Sequence, residues 1–156
     1  MELIKPGDQA PDFDLPGSGG IAISLAAHRG RIVVLFFYPK DDTSGCTAEA
    51  IGFSGLKPQF DAIDAVVIGM SPDSVRSHDK FRAKHDLTVD LASDEDKKVL
   101  QTYGVWVEKS MYGRKYMGVE RTTLLIDREG KVARVWNKVK VPGHAAEVLE
   151  AARALA

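Results

Sequence analysis

Cysteine is nearly missing from this sequence: its 156 residues contain one, Cys46. A single thiol excludes an internal disulfide and the Cys-x-x-Cys pair of a thioredoxin-type oxidoreductase. Long hydrophobic runs are missing too. The longest, "IVVLFFY" at 32–38, is far too short to span a bilayer. An excess of charge of one sign is also lacking. The net charge of -1 gives no electrostatic reason to expect nucleic acid or an anionic membrane as partner. The opening "MELIKPGDQAPDF" has neither the basic region nor the apolar run of a signal peptide. Repeats and low-complexity tracts do not occur. The expectation is one domain over residues 1–156, placed in the cytoplasm, where a reducing environment suits a free thiol.

What is present has the rhythm of an α/β protein. Pro6, Pro11, Pro16 and the tetrapeptide "GSGG" at 17–20 predict an extended, turning N-terminal segment, followed by a short strand at "IAISL". No Lys-Ser/Thr follows the glycines, so they read as a turn rather than a phosphate loop. "RIVVLFFY" has no polar alternation and is β-branched and aromatic, the signature of a central strand buried on both faces. Residues 47–63 space Ala48, Ile51, Leu56, Phe60 and Ile63 as one helical stripe, with Pro58 expected to kink or split it near Lys57. "AVVIGM" at 65–70 predicts a second buried strand. Ser71 and Pro72 then read as the N-cap and first position of a helix. Residues 93–104 predict a further helix, with Ser93 and Asp96 as a capping box and Gly104 as the stop. Residues 122–136 read as a β-hairpin. A last helix from about Pro142 is expected to bury Ala145, Val148, Leu149, Ala152 and Leu155. The sum is a mixed α/β sandwich.

Cys46 stands where such folds collect chemistry. It follows a buried strand and the polar turn "KDDTSG", on the first turn of a helix. Free backbone amides and the helix dipole favour an anion there. An ordinary thiol has a pKa of about 8.5 and is only a few per cent thiolate at neutral pH. Each unit of downward shift requires about 1.4 kcal/mol, and a helix terminus supplies ~0.3–1 kcal/mol. A cation from elsewhere in the chain is therefore required. Thr43, one turn earlier, offers a hydroxyl close to the sulfur.

"PKDDTSGC" fits the Pro-x-x-x-Thr-x-x-Cys signature of peroxiredoxins, and "FFYPKDDTSGCTAEA" resembles their bacterioferritin comigratory protein (peroxiredoxin Q) subfamily. The likeness continues through "GDQAPDFDLPGSGG", "VIGMSPDSVRSHDKF", "LASDE", "YGVW", "ERTTLLID" and "VWNKVKVPGHAAEVL". The resemblance implies a thioredoxin-like fold, a central mixed β-sheet flanked by helices. It implies a peroxidatic role for Cys46, shielding of the thiol by Pro39, orientation of the peroxide by Thr43, and a cation at Arg121. The implied activity is a thiol peroxidase for hydrogen peroxide and organic hydroperoxides. It proceeds through a sulfenic acid and needs no metal, flavin or haem cofactor.

The sequence departs from many of these relatives in one respect. Their resolving cysteine falls at positions occupied here by Ile51 or Arg82. The sulfenic acid must then be reduced by an external thiol, thioredoxin or glutaredoxin with glutathione. Apart from that, Ile51 reads as core and Arg82 as an exposed helix charge. Asp41 and Asp42 read as a solvated turn, and His144 as a surface residue. His78 and His85 are too far apart in sequence for a shared zinc. Trp106, Tyr38 and Trp136 read as core or pocket wall. The absence of a heptad pattern or continuous apolar surface segment points to a monomer. Two other functions compete: a thioredoxin-like binding domain, and a cysteine acyl hydrolase, which would need a base beside the thiol.

Overall fold

The computed structural model describes residues 2–156. Two short strands, β1 (Asp14–Pro16) and β2 (Ala22–Ser24), pair antiparallel around a single helical turn at 18–20. The chain then enters a five-stranded sheet. Its strands are β3 (Ile32–Phe37), β4 (Ala65–Ser71), β5 (Asp90–Ser93), β8 (Thr122–Ile126) and β9 (Val132–Asn137), in the order β5-β4-β3-β8-β9. β3, β4 and β5 run parallel; β8 and β9 are antiparallel to their neighbours. The helices are α1 (Ser44–Ala62), α2 (Val75–His85), α3 (Lys98–Thr102) and α4 (His144–Leu155). A separate hairpin, β6 (Trp106–Met111) with β7 (Arg114–Val119), lies between α3 and β8.

The unbroken apolar run of β3 is explained by its two covered faces. Ile32, Val34, Phe36 and Tyr38 join a core with residues of α1, α2 and α4. Val33, Leu35 and Phe37 point the other way, into a core with Phe13, Ile23, Leu25, Leu100 and Tyr103. Cys46 belongs to the helix-side core. The first turn of α1 thus begins just beyond the C-terminal end of the central strand.

Several local expectations are corrected. Pro58 does not split α1, which runs continuously through it. Proline cannot donate to the Ser54 carbonyl, and Thr88 Oγ1 bonds that carbonyl instead at 3.3 Å, while the Thr88 amide donates to Ser54 Oγ at 3.0 Å. The buried stripe of α1 is Cys46, Glu49, Ala50, Phe53 and Phe60, with Ala48 and Ile51 exposed. Phe53 decides the face by stacking on Phe36 at 4.7 Å between ring centroids.

Ser71 remains in β4 and Ser74 caps α2, accepting from the Ser77 amide at 3.1 Å. The helix predicted over 93–104 shrinks to α3, because Ser93 is claimed by β5 and Asp94 accepts from the Leu100 amide. Gly104, at φ 77°, does end the helical segment. Leu155 at the end of α4 is exposed. The 122–136 hairpin is present as β8 and β9, whereas β5 and the hairpin β6–β7 are not anticipated by the sequence reading.

Candidate active site

Thr43, in an extended conformation, is the N-cap of α1, and its carbonyl accepts the first helical bond, from the Thr47 amide at 2.8 Å. The amides of Ser44, Gly45 and Cys46 therefore lie in the unpaired first turn. The Cys46 side chain is buried, with the residue 1% exposed. Arg121 enters from the turn between β7 and β8. Its Nη2 donates to Cys46 Sγ at 3.4 Å and its Nη1 donates to Glu49 Oε1 at 2.7 Å. The guanidinium lies against the backbone of Gly45, where a Cβ would stand 3.2 Å from Nη2. The base of Arg121 is fixed as well: its carbonyl accepts from the Val139 amide at 3.0 Å.

One cation thus serves two acidic groups. Burial drives the Glu49 carboxyl up to about 7, against the opposing pull of the Arg121 charge and hydrogen bond. Glu49 Oε2 is buried and has no hydrogen-bond partner among the described residues. Burial works against the Arg121 charge, but Glu49 and Cys46 more than offset it and hold the guanidinium above its usual range. Lys109 on β6 is lowered by burial, with Glu120 and Cys46 opposing and Arg121 assisting. His144 on α4 is lowered by burial, with Glu147 opposing and Arg121 assisting. The hairpin β6–β7 thus brings a titratable group toward the thiol, and α4 brings one toward Arg121.

Of the residues expected at the site, Arg121 and Cys46 are in direct contact. Thr43 lies at the head of the same helix, exposed, with its hydroxyl donating to the Lys40 carbonyl at 2.8 Å rather than to the sulfur. Pro39 follows the end of β3 and is half-buried. Ile51 is 47% exposed, a surface residue rather than core. Arg82 is not a free surface charge either. It is half-buried, and its Nη1 donates to Ser18 Oγ at 3.3 Å.

The supposed solvated turn is partly a buried network. Asp41 accepts from Tyr38 at 2.6 Å and from Ser77 at 2.8 Å, and it meets His78 Nδ1 at 2.7 Å. His78 Nε2 faces the Ala92 carbonyl at 2.9 Å. Asp42 pairs with Lys84 and His85. The loop leading to Cys46 is thereby fastened to α2. Ligand-type atoms of Asp41, Asp73 and His78 lie within 4.8 Å of one another. Each is already engaged in this network, Asp73 by the Asp41 amide and Ser71 Oγ. His144 is also buried, bonded to Thr123 Oγ1 at 2.8 Å.

Two nearby groups escaped the sequence reading. Glu49 had a signal, an acid one turn beyond the cysteine on the buried face of the same helix. Lys109 had none, because only the hairpin brings it near.

A lone thiol at the head of a helix, backed by an arginine just before the start of an inner strand of a mixed sheet, defines a class of thiol-chemistry enzymes on a thioredoxin-like frame. Residues 6–135 match the AhpC/TSA family, and the chain belongs to that family as a peroxiredoxin, a thiol-dependent peroxidase. It is 50% identical over 146 residues to a putative peroxiredoxin Bcp of Coxiella burnetii, covering 94% of this chain and 97% of the relative. It is 46% identical over 147 residues to peroxiredoxin Bcp of Bacillus subtilis, covering 94% of each. Among solved structures it resembles peroxiredoxin Q of Xanthomonas campestris, with a TM-score of 0.90 at 45% identity, covering 99% of this chain and 98% of that one. Two structures of that protein are cysteine-to-serine variants at sites 36 residues apart, the separation of Cys46 and Arg82 here. Among the described residues no helix is long and apolar enough to cross a membrane.

Proposed function

We propose that Cys46 is the peroxidatic residue of a one-cysteine peroxiredoxin whose sulfenic acid is reduced by an external thiol. The observation that carries this is the 3.4 Å contact of Arg121 with the sulfur at the start of α1. The thiolate attacks one peroxide oxygen; the S–O bond forms as the O–O bond breaks. Sulfur is oxidised to Cys-SOH, and the departing oxygen takes a proton and leaves as water or an alcohol. Arg121 and the Cys46 amide are preorganised donors for the charge that spreads along the S–O–O axis. Thr43 turns its hydroxyl from the Lys40 carbonyl to the peroxide, and Pro39 shields the thiol from bulk water. Hydrogen peroxide and organic hydroperoxides are both substrates in this reading. Structures of the Xanthomonas campestris bacterioferritin comigratory protein address alkyl peroxide reduction, and that protein is 44% identical over 97% of this chain.

Arg82 and Ile51 occupy the positions that would resolve the intermediate internally, so the electrons come from thioredoxin, or from glutaredoxin and glutathione. The protein acts as a single-domain monomer in the cytoplasm. The acyl-hydrolase reading lacks its base: the sulfur's hydrogen-bond partner is a guanidinium, which has no basic lone pair. The test is peroxide consumption measured in parallel with thioredoxin, with glutathione plus glutaredoxin, and with dithiothreitol. Turnover with at least one reductant, abolished in Cys46→Ser, is expected. Equal turnover by the serine variant would overturn the assignment.

A further inference from the structure

Arg121 stands between two acids that are both buried, and among the described residues it is the only cation bonded to either. Burying two anions against one cation leaves one negative charge uncompensated, which a low-dielectric site resists. The unpartnered Oε2 of Glu49 is where a proton would rest without breaking the Oε1 bond to Arg121. We propose that over the neutral range Cys46 and Glu49 share one proton across Arg121, Glu49 being neutral while Cys46 is thiolate and ionised once the sulfur is a sulfenic acid.

Glu49 is then a positioning residue that acts through Arg121. When its carboxyl is neutral, the full charge of the guanidinium supports the thiolate. When the thiolate is consumed, the same charge passes to the carboxylate and holds Arg121 in place. The proton count balances. Attack converts thiolate and peroxide to sulfenic acid and an alkoxide or hydroxide, and the departing oxygen needs one proton. Glu49 releases one as the negative charge on sulfur disappears. Its carboxyl near 7 accords with a proton that is held and released under working conditions.

The other titratable groups around this cluster are Lys109 from β6, which acts on Cys46 and has Glu120 beside it, and His144 from α4, which acts on Arg121 and has Glu147 beside it. Burial and Arg121 hold His144 below its ordinary range, so the ring is neutral while Glu49 titrates. Lys109 adds positive charge on the sulfur side and makes no hydrogen bond to the Glu49 carboxyl.

The proposal rests on Cys46 being the reactive thiol, but its test needs no peroxide turnover. The rate of Cys46 alkylation by iodoacetamide is measured against pH in wild type and in Glu49→Gln, which keeps the Oε1 acceptor and removes the competing charge. The midpoint should fall in the variant, with several-fold faster alkylation at neutral pH. Superimposable profiles, or a midpoint moved upward, would overturn the proposal. An infrared difference spectrum of the wild type supplies an independent readout should the variant fold poorly. A protonated-carboxyl stretch should be present in the reduced protein at neutral pH and weaken on one equivalent of peroxide or on alkylation. It should be weaker in Cys46→Ser as well, where Arg121 has a single anion to serve. A band undiminished by alkylation, or as strong in the serine variant as in reduced wild type, refutes the shared proton.

Discussion

Arg121 presses its guanidinium against Gly45, leaving 3.2 Å between Nη2 and the place a Cβ would occupy. The glycine is needed there for closeness rather than for backbone freedom. Gly45→Ala should improve helix propensity by up to about 1 kcal/mol while displacing Arg121 by a few tenths of an ångström. We expect a thermal midpoint unchanged or raised, with peroxide reduction slowed roughly 3–10-fold. A stopped-flow rate equal to wild type would show that the contact has no bearing on the reaction.

Removal of the cation itself has a larger effect. Arg121→Ala should shift the pH profile of Cys46 alkylation upward and slow peroxide reduction by about 10²-fold, the usual loss for one preorganised donor. It also leaves Glu49 buried without its cation, so its carboxyl should titrate at still higher pH. Unchanged alkylation would assign the thiolate's support to another group, with Lys109, whose charge Cys46 already influences, the first candidate.

Oxidation of the single thiol should follow a ladder visible by intact mass. Additions of about 16 and then about 32 mass units are expected as peroxide is raised, with dimedone trapping the first product. Cys46→Ser should show neither. A non-reducing gel after one equivalent of peroxide should remain monomeric; a dominant disulfide-linked dimer would mean that a second chain resolves the intermediate.

Glu49 makes stability depend on pH in a definite direction. Its folded carboxyl near 7 lies above the ordinary 4.5, so between those values the folded state holds a proton the unfolded chain has lost. Stability must therefore fall as pH rises through this window, by up to about 3 kcal/mol from this group alone. Asp42 and Asp64 are shifted the opposite way, below 3.8, and act at more acidic pH. Urea unfolding from pH 5 to 8 should show the decline in wild type and a flatter profile in Glu49→Gln. Parallel curves would place the carboxyl outside this titration range.

Some of this was readable before the fold was known, and the reason differs by residue. β3 was legible because a strand covered on both faces needs no polar position. Cys46 and Arg121 were legible through the octapeptide and the block "ERTTLLID". The stripe of α1 was misread because sparse apolar residues fit more than one helical frame, and only Phe53 packed on Phe36 distinguishes them. Pro58 was misread because its cost is met by Thr88, 30 positions away. Asp41 and His144 looked like surface residues because their partners lie on other elements. Buried polar groups are satisfied by tertiary contacts that a linear pattern does not encode.

The burial of Cys46, with the residue 1% exposed, gives the two halves of the catalytic cycle different size limits. A peroxide reaches the sulfur through its own terminal oxygen, the smallest part of any hydroperoxide. A reductant must bring a sulfur atom, carried on a side chain and often on a whole protein, into line with the new S–O bond. A reductant therefore meets a stricter steric limit at this sulfur than the oxidant does, and the fastenings of Asp41 and Asp42 to α2, which hold the preceding loop in place, keep that limit fixed.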